Sequence, residues 1–125
     1  MTSNENAYAA AVDAVTAACS VARAVQQDLD SIRQITKDDR SPVTVADYAV
    51  QAIVAMELQE RLGDVKIVGE EQADALRGDE AATIRDAVIA AVRQARPDAC
   101  GDAILDAIDA GDHDGSAASY WTVDP

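Results

Sequence analysis

The chain has 125 residues, of which 23 are acidic and 10 basic, giving a formal net charge of -13. That length builds one domain that buries roughly two thirds of the surface its unfolded form exposes, and that charge repels nucleic acid and anionic membrane surfaces as direct partners. An anionic substrate then needs a cation between itself and the protein, although an acidic surface also serves solubility alone. There is no Phe, and Ala and Val dominate the apolar content, which predicts a core of closely spaced helices rather than large aromatic plugs. Cys19 and Cys100 match no metal-site spacing and no CxxC motif, so burial in a reducing cytoplasm is their expected place. The opening MTSNENAYAA lacks the basic region and long apolar run of a leader, and no stretch is read as a membrane span. A soluble cytoplasmic protein is the expectation.

From about Asn4 to Gln34, Tyr8, Val12, Val15, Cys19, Ala22 and Leu29 recur at steps of three, four and seven, the period of one helix face. Ser3 or Asn4 is the expected cap, with Glu5 favourably placed in the first turn. The segment ITKDDRSPVTVAD interrupts the pattern, because Pro42 pushes Ser41 toward extended geometry and the β-branched Val43 and Thr44 continue it. A second helix follows with two stripes, Val45, Ala49, Ala52, Ile53 and Met56 on one face and Val50, Val54 and Leu58 on another. A helix apolar on more than one face is buried between layers, and Gly63 ends it.

VKIVGEE places Val65, Ile67 and Val68 in a short strand that breaks at Gly69 before two carboxylates. Asp79 is the expected cap of a third helix carrying Ile84, Ala87, Val88, Ala91, Val92 and Ala95, with Pro97 after its end. Ile104, Leu105 and Ile108 mark a shorter helix stopped by Gly111. The loop GDHDGSAAS then leads into YWTVDP, whose aromatic and β-branched residues suit a buried central strand. No internal repeat or low-complexity linker divides the chain, so residues 1–125 form a single unit.

The loop AGDHDG fails as an EF-hand. With Gly115 at the glycine position, the first ligand falls on Ala110 and the last on Trp121, where acids are needed. His113, the lone histidine, is read as part of a solvated turn. Thr44-Val45-Ala46-Asp47 has the form of a capping box, which accounts for both polar residues and also holds a carboxylate rigidly at a helix mouth. Glu70 and Glu71 read alone as solvated turn residues, and Asp124 as a turn initiator before Pro125. Taken together with Asp47, they supply carboxylates near the ends of strand-like segments, and hard oxygen donors of this kind suit Mg²⁺.

The blocks KDDRSPVTVADYAVQAIV, KIVGEEQ, ILDAIDAGDHDG and YWTVDP, in that order, resemble the inositol monophosphatase superfamily, most closely its 3'(2'),5'-bisphosphate nucleotidase branch. The resemblance runs from about Lys37 to Pro125 and is specific because four separated blocks agree in order and spacing. It implies an α+β fold: the N-terminal part of the layered α/β/α/β/α sugar-phosphatase fold, with long helices packed on the start of an antiparallel sheet. Asp124-Pro125 resembles the first two residues of a metal-binding stretch whose remainder is absent, so the resemblance implies a truncated N-terminal domain of a metal-dependent phosphatase.

Carried over residue by residue, the resemblance makes Glu70 and Asp124 metal ligands and Asp47 the residue that helps deprotonate the attacking water. Thr44 and Glu71 then support the site from behind. The implied cofactor is Mg²⁺ and the implied substrate a small bisphosphate nucleotide such as 3'-phosphoadenosine 5'-phosphate, hydrolysed to a nucleoside monophosphate and phosphate. An inositol or sugar phosphate phosphatase is the alternative within the superfamily, and a non-catalytic helical interaction module the alternative of another class. Convergence of Asp47, Glu70 and Asp124 on one pocket is the geometric discriminator between enzyme and module.

Overall fold

A computed structural model describes residues 2–28 and 41–125. Leu29, the predicted helical extension to Gln34 and the block from Lys37 to Arg40 lie outside the described residues. The elements are α1 (Thr2–Gln27), α2 (Ser41–Leu62), β1 (Ile67–Gly69), two single 3₁₀ turns (Ala73–Leu76 and Asp79–Ala81), α3 (Ala82–Ala95), α4 (Gly101–Asp109) and β2 (Trp121–Val123).

The central element is α2, which contacts α1, α3 and α4. Its Val45, Ala49, Ala52, Ile53, Ala55 and Leu58 are all buried, the distribution expected of a helix apolar on more than one face. It begins at Ser41, so Pro42 stands in its first turn rather than in an extended segment. A proline costs little there, because the N–H it lacks has no intrahelical partner at that position. At the other end Gly63 takes φ +81 and donates its N–H to the Gln59 carbonyl at 2.9 Å, the left-handed closure that a side chain with a Cβ disfavours.

The packing face of α1 differs from the expected one. Ala10, Ala14, Ala18, Val21 and Val25 are buried, whereas Tyr8, Val12 and Val15 are 75%, 46% and 56% exposed and Cys19 is also exposed. Steps of four, four, three and four run through the small residues, and an alanine stripe lets two helix backbones approach closely where bulkier side chains hold them apart. Ser3 and Asn4 lie within the helix and do not precede it. Asp13 pairs with Arg61, tying α1 to the last turn of α2. By length and composition α1 from Glu5 to Gln27 is long and apolar enough to cross a membrane, with a mean hydropathy of 1.3, which corrects the sequence expectation on that point. Ala10, Ala18, Val21 and Val25 pack into the core, while most of that window is exposed. Because the predicted face is the outer one, Val12→Ser and Val15→Ser are each expected to change stability by no more than about 0.5 kcal/mol in urea unfolding. A loss of about 2 kcal/mol would place these valines in the core instead.

On α3, Val88, Ala91 and Val92 are buried and Ile84 and Ala87 half-buried, with Ala95 exposed. Asp79 sits in the preceding 3₁₀ turn and does not cap the helix: Ala81 occupies the cap position, with no side-chain cap bond. Arg96, just past the end of α3, reaches Glu57 at 3.0 Å and also Glu60, so the covering helix is fixed to α2 by charge as well as by packing. Cys100 caps α4 by accepting from the Ala103 N–H at 3.4 Å, and both cysteines are exposed rather than buried.

The two strands are parallel, not antiparallel, with Ile67 opposite Trp121, Val68 opposite Thr122 and Gly69 opposite Val123. The connection between them explains the direction. It runs through both 3₁₀ turns, α3 and α4 before returning to the start of β2, and a long helical crossover of this kind joins parallel strands. The antiparallel contact lies on the other edge of β1, where Val68 bridges Asp112. Gly69 donates to the Gly111 carbonyl at 2.9 Å and His113 to the Ile67 carbonyl at 3.1 Å, so β1 is paired on both sides.

Candidate functional site

Parallel register decides where the carboxylates go. Glu70 follows Gly69 and Asp124 follows Val123, and those two residues are register partners, so both acids leave the sheet at the same end. Asp47 comes to them from the second turn of α2, half-buried, beside the buried Tyr48. Of the strand-end acids, Glu71 is half-buried while Glu70 and Asp124 are exposed.

The electrostatics place these groups near one another. Burial first, then the charge of Asp124, raises the Asp47 carboxyl above its ordinary value. Burial, then the charges of Asp47 and Glu70, raises Glu71. Burial and the Glu71 charge together raise the Tyr48 phenol. These are like charges held together with partial loss of water, and both effects disfavour ionisation. Among the described residues no salt bridge involves Asp47, Glu70, Glu71 or Asp124.

Charge couplings link Asp47 to Asp124 and Glu71 to both Asp47 and Glu70, a chain of pairs and not the convergence of Asp47, Glu70 and Asp124 on one pocket. Thr44 lies one turn before Asp47 on the same helix. Since α2 starts three residues earlier at Ser41, neither Thr44 nor Asp47 occupies a capping position, and the capping-box explanation of the pair fails. His113 stands apart from the carboxylates, in a packed loop rather than a solvated turn. It is half-buried, its ring stacks on Tyr120 with centroids 6.1 Å apart, and its Nδ1 accepts from the Gly115 N–H at 2.9 Å.

Two polar residues that the sequence patterns did not mark hold the loop carrying the acids. Gln51, fully buried on α2, accepts from the Glu71 N–H at 2.9 Å and donates to the Glu71 carbonyl at 2.7 Å and the Ile108 carbonyl at 2.8 Å. Asp109, at the end of α4, accepts from the Ala73 N–H at 2.7 Å and from Arg77 at 2.6 Å. Burial alone would raise Asp109, but those hydrogen bonds and the Arg77 charge outweigh it and hold the carboxyl below its ordinary value. The only sequence signal for Gln51 is a polar residue inside an apolar stripe, one turn after Asp47.

As a metal site the group is partial. Among the described residues no three His, Cys, Asp or Glu side chains are grouped so as to hold one ion. The donor chemistry nevertheless fits Mg²⁺, which takes one or two carboxylates from a protein and completes its shell with waters and substrate phosphate. A cleft of about 450 Å³ between α1, α2 and β2 reaches Asp124 but not Asp47, Glu70 or Glu71. Its lining of Val15, Val50, Val54, Leu58 and Trp121 is apolar and gives no seat to a phosphate.

No protein-family model matches the chain. Curated proteins do. A protein of Arabidopsis thaliana named 3',5'-bisphosphate nucleotidase 2 is 35% identical over 98% of this chain, which covers 39% of that protein. The 3'(2'),5'-bisphosphate nucleotidase of Oryza sativa is 34% identical over 94% of this chain, covering 36% of its own length. In Schizosaccharomyces pombe the protein of the same name is 51% identical over a shorter stretch of 43 residues. The chain therefore spans between 31% and 39% of the relatives it matches along nearly its whole length. Sequence kinship along nearly its whole length joins this chain to the 3'(2'),5'-bisphosphate nucleotidases.

Proposed function

We propose that this chain supplies part of the active site of a Mg²⁺-dependent phosphomonoester hydrolase acting on 3'(2'),5'-bisphosphate nucleotides, with 3'-phosphoadenosine 5'-phosphate as the representative substrate. The observation that carries the reading is the parallel register that sends Glu70 and Asp124 off the same end of the sheet, with Asp47 on α2 coupled by charge to Asp124 and to Glu71 and none of these acids in an ion pair among the described residues. Such a group is relieved by a cation, and a cation is what lets a chain of charge -13 accept a polyanion. The names of its relatives supply the substrate class. In this reading the helices and parallel strands are the beginning of the layered sugar-phosphatase fold, and the rest of the pocket comes from sequence outside residues 1–125.

Glu70 and Asp124 would hold the ion. Bound there, Mg²⁺ supplies a lowered pKa for water and neutralisation of phosphate charge. Asp47 accepts a proton from the attacking water, and its raised pKa makes it a better acceptor than an ordinary aspartate. The water oxygen bonds to phosphorus, the phosphorus–oxygen bond to the ribose breaks, and the departing oxygen takes a proton from solvent water to give a nucleoside monophosphate and inorganic phosphate. Glu71, coupled by charge to Asp47, and Thr44, one turn before it on α2, would support the site without holding the ion.

The test is titration of the chain with Mn²⁺ as a spectroscopic stand-in for Mg²⁺, together with phosphate release from 3'-phosphoadenosine 5'-phosphate and from an inositol monophosphate. Cation binding that weakens about 10-fold or more in Glu70→Gln and in Asp124→Asn is the expected result. The 125-residue chain alone should release phosphate only weakly. Failure of the chain to bind a divalent cation would remove the metal site and favour a non-catalytic module, and release from the inositol phosphate alone would change the substrate class.

A further inference from the structure

Gln51 is the one polar side chain among the described residues that is buried in the core, and it is buried completely. An apolar residue of the same volume would fill that place without requiring any partner, whereas a buried amide is costly unless its groups are paired. Here they are paired, and with a pattern. Its oxygen takes the N–H of Glu71, and its nitrogen serves the carbonyls of Glu71 and Ile108. One side chain therefore grips both main-chain groups of a single loop residue, as a neighbouring strand would, and ties that residue to the last turn of α4.

The surroundings are shaped to admit it. A Cβ on Gly69 would lie 2.6 Å from the Gln51 oxygen, and one on Gly111 would lie 2.7 Å from its nitrogen. Glycine at both positions leaves the space that the amide occupies. Gln51 is also four residues after Asp47 on α2, so the two side chains lie on one helix face a turn apart.

We propose that Gln51 is a positioning residue for the carboxylate group: it locks the Glu70-Glu71 turn to α2 one turn from Asp47, and so sets the spacing at which the acids from helix and strand meet a divalent cation. This role rests on the proposed function above. Gln51 touches neither ion nor substrate and acts through the main chain of Glu71.

The test combines amide hydrogen exchange with Mn²⁺ binding in the 125-residue chain. In Gln51→Met, which keeps length and loses every hydrogen bond, the Glu71 amide is expected to exchange at least about 10-fold faster while protection in the helices is kept, and Mn²⁺ affinity to fall about 10-fold. Gln51→Asn, whose amide is one methylene too short to reach the loop, should behave likewise and serves where Gln51→Met does not fold. Gln51→Glu keeps an oxygen for the Glu71 N–H and should restore part of the protection of that amide. A folded Gln51→Met or Gln51→Asn chain with unchanged Mn²⁺ affinity would overturn the positioning role, because a Gln that only completes the core lowers stability without moving affinity. Absence of Mn²⁺ binding by the unsubstituted chain would instead overturn the proposed function, and with it the purpose assigned to Gln51.

Discussion

Gly111→Ala is expected to remove a large share of the folding stability of the chain. The added Cβ would lie 2.7 Å from the Gln51 nitrogen, 3.1 Å from the Gly69 Cα and 3.2 Å from the Gly69 nitrogen. Two of those three atoms are main chain of a paired strand, which cannot turn aside as a surface side chain does. Overpacking of this kind costs about 1–3 kcal/mol. Pushing Gln51 away also leaves the buried Ile108 carbonyl without this partner, at about 1–3 kcal/mol, and loosens the half-buried Glu71 main chain. A combined loss of about 3–5 kcal/mol is a large share of the roughly 5–15 kcal/mol that holds a domain together. Urea unfolding followed by circular dichroism measures it, with Gly78→Ala as the control, since a Cβ there meets nothing within 4 Å. If Gly111→Ala came within about 1 kcal/mol of the unsubstituted chain, the pairing of residues 111–113 along β1 would be wrong.

The junction at Gly111 also shows what the sequence makes legible and what it conceals. Gly111 is visible in the sequence as a helix stop, and the structure uses it for a second purpose that depends on a residue 60 positions earlier in the chain, a contact no local pattern encodes. Helix α2 was legible because its apolar residues exceed one stripe, and this signals burial whatever packs around it. The face of α1 was not, because Tyr8, Val12 and Val15 weigh more heavily in a periodic pattern than Ala10, Ala14 and Ala18, while close packing prefers the smaller set. Strand direction was illegible for a different reason: three-residue strands alternate in the same way whichever way they run, and only the helical crossover between them fixes the parallel arrangement. Pro42 suited both an extended segment and the first turn of a helix, and tertiary packing of α2 selected the second.

At the site the balance is similar. Asp47, Glu70, Glu71 and Asp124 stand out in the sequence as acids at element ends, and parallel register brings the residues after Gly69 and Val123 off the same end of the sheet. Which of the two glutamates faces Asp47 depends on the turn after Gly69, and that turn is fixed by Gln51 and by Asp109 holding the Ala73 N–H. Glutamine is an ordinary surface residue by composition, and a place inside an apolar stripe is the one local mark that separates Gln51 from a solvated one. Its meaning comes entirely from long-range contacts.

Asp47→Asn is expected to stabilise the fold at neutral pH and to slow the proposed hydrolysis. The folded state raises Asp47 above its ordinary 3.8 and Glu71 above its ordinary 4.5, so it binds these protons more tightly than the unfolded chain does. Linkage then fixes the sign: the penalty is absent below the ordinary values, grows as pH rises through the raised ones, and is fully present at neutral pH. Asp109 has the opposite sign, contributing stability above its ordinary value that is lost as pH falls. Neutralising Asp47 relieves its own desolvated charge and the repulsion it exerts on Glu71. The thermal midpoint should therefore rise at neutral pH, and the difference from the unsubstituted chain should vanish in acid where the carboxyl is protonated in both states. Phosphate release, measured in the chain joined to the remainder of a nucleotidase, should fall about 10²–10⁴-fold with the loss of the proton acceptor. Gain of stability with loss of turnover is the signature of a group held in an unfavourable environment for its chemistry. A drop in the thermal midpoint at neutral pH would show Asp47 to be a structural hydrogen-bonding residue, and the carboxylate group would lose the member around which the proposed mechanism is built.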